Sequence, residues 1–138
     1  MVKEIVKDIE ILQQKSEKFE FGIDDGLITD LIDTANANFD NCLGLACIQI
    51  GTPKRLIVVK IGNKFVPIIN PNIIKRSQET FIATERCLSL EGPRQVKRHK
   101  KIKVGYTTKD GKIMCQELKG FLAQVIQHEC DHLNGILI

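Results

Sequence analysis

Close to the end of the sequence stands His128-Glu129-Cys130-Asp131-His132, an HExxH pattern, and it limits the fold more than anything else in the chain. Two imidazoles four residues apart share one face of a helix, so both can bind one metal ion with the intervening glutamate beside it. The pattern therefore requires a helix at residues 128–132 and a fold that brings further groups up to it. Phe121 and Val125 precede His128 by seven and three residues, so the stripe bearing the imidazoles continues into apolar surface. Two solvated histidines at a helix end would not need such a stripe. A ligand pair beside an apolar pocket does.

Two histidines leave a tetrahedral site one protein ligand short when a water is to take the open position. Six residues follow His132 and none is His, Asp or Glu, which excludes the extended HExxHxxGxxH form. The third ligand must come from elsewhere. Five cysteines, Cys42, Cys47, Cys87, Cys115 and Cys130, form no CxxC pair and disfavour a disulfide scaffold. Such thiols are ordinarily small core residues, and one of them is a candidate for metal or nucleophile chemistry. Cys130 lies two positions from each histidine, across the helix turn, and is expected to be structural; Cys47 and Cys115 are expected in the core.

The rest of the chain predicts one α+β domain over residues 1–138. Residues 24–39 place Leu27, Ile28, Leu31, Ile32, Ala35 and Phe39 at helical spacing, giving an N-terminal amphipathic helix. β-branched runs on both sides of Gly62-Asn63 predict a hairpin, and residues 101–107 alternate apolar and polar as a half-buried strand does. Lys109-Asp110-Gly111-Lys112 reads as a turn into a strand at 113–118, and helical spacing returns from Gly120 to about Asn134, with Gly135 as its stop. The expected architecture is small antiparallel sheets packed around a central HExxH helix. A hydrophobic content of 43% supplies a core, and a net charge of +3 is too small to demand a nucleic-acid partner. The first ten residues interleave charge with aliphatics, and no apolar run approaches the ~20 residues that span a bilayer, so a cytoplasmic protein without membrane contact is expected.

Three separated segments carry a family resemblance: Gly44-Leu45-Ala46-Cys47-Ile48-Gln49, Glu85-Arg86-Cys87-Leu88-Ser89, and the HExxH helix with Asp131 and Leu133. In that order they resemble the three signature motifs of peptide deformylases. The resemblance implies that Cys87 joins His128 and His132 as metal ligand, with the fourth position left for water. A thiolate and two imidazoles suit Fe(II), Zn(II), Co(II) or Ni(II), and Fe(II) is the ion the family uses. It further implies an enzyme that removes the formyl group from N-terminal formyl-methionine of nascent polypeptides. Glu129 would be the acid/base, and the Gln49 amide and Leu88 N–H would steady the oxyanion. Gly44, Phe121 and Val125 are the candidate substrate contacts. Glu85 is a candidate ion-pair partner for Arg94 or Arg98, holding the strand that presents Cys87.

The chain departs from the family pattern at three places beside the site. Cys42 and Arg86 replace glycines, and Glu91 stands where a proline often follows. Both former changes can narrow a cleft or alter peptide docking. A second reading is a catalytically weak deformylase-like metal-binding protein serving as a peptide or ribosome binding module. The basic run Lys97-Arg98-His99-Lys100-Lys101 would then be its RNA contact, although a solvated strand edge is the simpler account. A general zinc amidase would need a His or acidic third ligand. The partners expected are the formyl-methionyl nascent peptide and the ribosome, with no sequence-specific nucleic acid.

Overall fold

The computed structural model describes residues 1–138. A five-stranded antiparallel sheet runs in the order β1-β2-β3-β6-β7, from β1 (Gly44–Ala46), β2 (Leu56–Ile61), β3 (Lys64–Arg76), β6 (Lys101–Thr107) and β7 (Ile113–Lys119). The remaining strands, β4 (Thr80–Cys87) and β5 (Leu90–His99), form a separate two-stranded ribbon. Gly62 and Asn63 close the β2–β3 hairpin, with Ile61 opposite Lys64 and Gly62 at φ 63°. That two-residue connection is the one the Gly-Asn pair favours, because its backbone twist matches the strands.

The sheet has an apolar side toward each of two helices. On one face Ile57, Val59, Ile68, Ile102 and Val104 pack against Ala123, Ile126, Cys130 and Leu133 of α3 (Gly120–Leu133). On the other, Leu45, Leu56, Val58, Phe65 and Ile69 pack against Leu31 and Ala35 of α2 (Gly26–Ala37). A one-turn helix, α1 (Ile9–Leu12), is capped by Asp8, whose side chain accepts from the Glu10 N–H at 2.9 Å. The architecture is mixed helix with small antiparallel sheets.

Three details differ from the sequence expectation. The helix expected over 24–39 starts at Gly26, because Asp24 and Asp25 accept from the Glu20 and Gly22 N–H groups and hold a turn ahead of it. It ends at Ala37, and Phe39–Asn41 continue as a 3-10 turn. Cys115, expected in the core, is exposed: it lies opposite Gly105 on the sheet face turned away from α3, on the edge strand. Cys130 is buried with the core of α3.

Helix α3 is where chemistry and fold meet, since residues 126–130 are buried all round. Its C-terminus is closed by Gly135 at φ 74°, with the Gly135 N–H donating to His132 O at 3.1 Å and the Ile136 N–H to Asp131 O at 2.9 Å. Those two bonds make the Schellman ending that glycine in the left-handed region permits. A Cβ at Gly135 would also lie 2.3 Å from the Gln13 carbonyl oxygen, so the position admits no side chain.

Candidate metal centre

Two histidines one turn apart on α3 point the same way. Their Nε2 atoms approach to 3.2 Å, with both rings almost fully buried. Cys87, at the end of β4, brings its Sγ within 4.8 Å of those nitrogens. Its placement depends on an irregular stretch of the ribbon: Glu85 pairs with Arg94 but Cys87 with Leu90, so two steps of β4 face four of β5, and Gly92 at φ 75° absorbs the difference. The chain then turns through Leu88 and Ser89.

Behind the imidazoles lies an ionic network. Glu85 accepts from His128 Nδ1 at 2.7 Å, from Gln124 Nε2 at 2.9 Å and from the Arg98 guanidinium at 2.7 Å. Arg98 also donates to Asp131 Oδ2 at 2.6 Å, tying the ribbon to α3. Burial alone would raise the Glu85 carboxyl, but the bonds from His128, Arg98 and Gln124 outweigh it and hold it at about 2. Burial pushes His128 down, and its bonds to Cys87 and Glu85 more than reverse that, to about 10. Burial together with the charge on His128 pushes His132 down to about 3.

These residues fit a metal ion. A tetrahedral centre with metal–nitrogen bonds of ~2.0–2.1 Å spaces two nitrogens by roughly 3.3 Å, close to the separation of the two Nε2 atoms. The Glu85 bond leaves His128 Nε2 free to coordinate, as carboxylate-oriented ligand histidines do. Three buried side-chain atoms in the molecule lack any partner, and two of them, Glu129 Oε1 and His132 Nδ1, belong to this cluster. Unsatisfied buried polar atoms concentrate where chemistry is done.

A cleft of about 460 Å³ opens in front of the cluster. Of the residues the sequence singled out, Gly44, Gln49, Cys87, Leu88, Phe121, Val125, His128 and Glu129 line it, and His132 lies behind. Burial pushes the Glu129 carboxyl up to about 7, against the pull of the nearby His128 charge. Gln49 is fixed at both ends: its Oε1 accepts from the Ala46 N–H and its Nε2 donates to Ser89 Oγ, each at 3.0 Å. The Leu88 N–H donates to no backbone carbonyl. A Cβ at Gly44 would stand 2.9 Å from Glu129 Oε2 and 3.0 Å from Val125 Cγ1, so glycine is what lets β1 pass this close to the helix.

Comparison with known proteins matches residues 2–138 to the polypeptide deformylase family model. The chain belongs to the peptide deformylase family. A curated peptide deformylase of Clostridium beijerinckii is 47% identical over the whole of both chains. The crystal structure of the Thermotoga maritima peptide deformylase superposes with a TM-score of 0.90 at 34% identity, covering 99% of this chain and 95% of that one. A Met-Ala-Ser-bound deformylase of Acinetobacter baumannii gives the same TM-score at 30% identity, covering 99% of this chain and 97% of that one.

Behind the deformylase cleft, one of the two arginines considered for Glu85 proves central and one glutamine was missed by sequence reasoning. Arg98, read both as a candidate partner of Glu85 and as part of a solvated basic run, is 4% exposed and is the hub between Glu85 and Asp131. Of the two arginines considered for Glu85, Arg94 faces it across the ribbon while Arg98 makes the ion pair. Gln127 clamps β5 to α3, accepting from the His99 N–H and donating to the His99 carbonyl, both at 2.9 Å. The available signal was a period of two: Arg94, Val96 and Arg98 turn inward while Gln95 and Lys97 are exposed.

Proposed function

We propose that residues 1–138 form one catalytic domain in which Cys87, His128 and His132 hold a divalent metal ion and Glu129 carries the proton. The family membership supports the reaction: hydrolysis of the N-formyl group from the formyl-methionine of nascent polypeptides, releasing formate. The observation that carries the site assignment is the convergence of two Nε2 atoms at 3.2 Å and one thiol around a buried, unpartnered Glu129 oxygen. Fe(II) is the ion we assign, with Zn(II), Ni(II) and Co(II) chemically suited to the same donors.

Bound to these three donors, such an ion would acidify a water and polarise the formyl carbonyl. The chain's own residues do the remainder. Glu129 Oε1 has no competing hydrogen bond, and burial has raised its carboxyl to about 7, within reach of both protonation states near neutral pH. It takes the proton of the attacking water and returns it to the departing amine. Gln49, held by Ala46 and Ser89, keeps its second Nε2 hydrogen for the formyl oxygen, and the Leu88 N–H supplies another donor from the turn after Cys87. Phe121 and Val125 offer the apolar wall for the methionine side chain, and Gly44 leaves space for the peptide backbone.

The reading as a weak binding module is disfavoured, because no ligand, acid/base or oxyanion donor is missing from the cleft. No helix is long and apolar enough to cross a membrane, and we assign a cytoplasmic location in which nascent chains and the ribosome are the partners. The test is formate release from a formyl-Met peptide by anaerobically prepared, Fe(II)-loaded protein, with Glu129→Ala in parallel. Release by the wild type that disappears in the variant, with metal retained, supports the assignment; equal release by both removes Glu129 from its role.

A further inference from the structure

A second concavity lies far along the sheet from the cleft and has a different chemistry. It encloses about 450 Å³ and is lined by Lys75, Arg76, Lys101, Lys103 and Lys119, with Glu117 as its sole carboxylate. Helix α2 covers β1, β2 and part of β3 on this side of the sheet, and the lysine-bearing end of β3, β6 and β7 lies beyond the apolar cluster it forms. Arg76 pairs with Ile102 and belongs to the α3 side, so four lysines share this face with one acid, a charge equal to the net +3 of the whole chain.

The strand register makes this arrangement costly. Lys75 stands directly opposite Lys103, and Lys101 directly opposite Lys119. Like charges at directly opposed positions destabilise a sheet. The first opposition exists because of an irregularity in β3 between Ile73 and Lys75, which brings Lys75 rather than Ile74 beside Lys103. None of the four lysines forms an ion pair, although Glu117 faces Lys103 across the strands. Lysines that merely protect a sheet edge belong on the edge strand. Here Lys101 and Lys103 are on β6, an interior strand, while Lys75, on the stretch of β3 beyond its pairing with β2, and Lys119 flank them.

We propose that this face binds the phosphate backbone of structured RNA. Lysines two apart on a strand are spaced by roughly 6.6–6.8 Å and neighbouring strands by about 4.8 Å, so the charges are spread for a polyanion rather than gathered on one phosphate. The lining holds no aromatic side chain and no Asn or Gln, so contact is with the backbone and independent of base sequence. The choice of RNA among polyanions rests on the deformylase reading, whose substrates emerge beside structured RNA. The catalytic cleft, at the β1 end of the sheet, stays open when this face is occupied.

The experiment measures anisotropy of a labelled RNA hairpin titrated with metal-loaded protein, for the wild type, for Lys75→Glu/Lys101→Glu, and for the control Lys7→Glu/Lys64→Glu, which has the same net charge. Binding should weaken by ~10²-fold between 50 and 200 mM salt, as about four phosphate contacts require. The face variant should lose roughly tenfold or more in affinity relative to the control. It should also melt higher than wild type, since each substitution sets a carboxylate opposite a lysine. Absence of wild-type binding, equal binding by both variants, or capture by phosphatidylglycerol vesicles in preference to RNA would overturn the proposal. Formate release by the same preparations reads the cleft separately, so failure of the RNA face and failure of the deformylase assignment are told apart.

Discussion

Arg98→Met removes the one cation that joins the ribbon to the metal helix, and the structure sets the size of the effect. The guanidinium is 4% exposed and bonds two carboxylates: Glu85, whose side chain is 7% exposed, and Asp131, at 24%. Breaking a buried pair from one side costs about 3–5 kcal/mol, because the partner charge is left without compensation. Asp131 retains enough contact with water to limit its share, so ~3 kcal/mol is expected, about 10 °C in Tm for a chain of this size. The carboxyl of Glu85 then rises, its burial no longer offset, and His128 Nδ1 loses a charged acceptor. Metal affinity should fall by roughly 10–100-fold, the usual cost of losing such support behind a ligand histidine. Urea unfolding of metal-stripped protein measures the first effect and chelator competition the second. The double variant with Glu85→Gln completes the test: once Glu85 is neutral, Arg98→Met should cost at least ~1 kcal/mol less. A loss below ~1 kcal/mol in the single variant, or an unchanged cost in the double, would refute the view that this pair is buried and coupled.

Gly44→Ala should leave the metal content intact yet lower kcat/KM by about 10²-fold, since the new methyl displaces Glu129 and small misplacements of a catalytic group carry that cost; elemental analysis alongside kinetics checks it, and wild-type activity would contradict it. Cys87→Ala should abolish stoichiometric metal binding while the metal-stripped forms unfold alike, as the thiol is only half-buried; retained metal would remove Cys87 from the ligand set. Glu85→Gln should change acid sensitivity. Because the carboxyl is held at about 2 against an ordinary 4.5, its stabilisation is present above about 4.5 and is lost as the pH falls toward 2. Metal-stripped wild type should therefore lose stability more steeply than the variant across that window, and parallel curves would show that Glu85 is not the group responsible.

Helix and hairpin positions were legible from residue order because their signals are local. The stripe of Phe121, Val125, His128 and His132 needs only the helical repeat, and the β2–β3 turn needs only Gly62-Asn63. The β4–β5 ribbon was read at Glu85, Cys87, Leu88 and Arg98 but not as a pair of strands, for a physical reason. Its inward positions include Glu85 and Arg98, which neutralise one another, so the strands do not alternate apolar with polar. A buried ion pair looks like solvent exposure until both partners are known, and these are separated by 13 residues, with Asp131 33 residues beyond Arg98. The buried clamp Gln127 escapes sequence reading for the same reason.

The departures from the family pattern bear on the cleft unequally. Cys42 is 3% exposed, packs with Leu45 and Phe65 on the α2 side, and donates its thiol to the Gly44 carbonyl at 3.2 Å. It therefore props the backbone of the wall from beneath, and burial, aided by Glu129, pushes the thiol up to about 12, away from thiolate reactivity. Arg86 differs: it is exposed on the rim, one residue before Cys87, with no ion-pair partner. A glycine there would leave this part of the rim neutral, whereas the guanidinium puts a cation on it, and we expect residues downstream of the methionine to pass beside it. An acidic side chain in that part of a substrate meets an unpaired cation at little entropic cost, and a basic one meets repulsion. Across formyl-Met peptides differing only in that side chain, kcat/KM should favour the acidic one by a few-fold at low salt, with the preference erased by Arg86→Gly and by high salt. A preference that survives Arg86→Gly would place its source elsewhere on the rim, with Asn41, Thr84 and Gln124 the polar donors left to account for it.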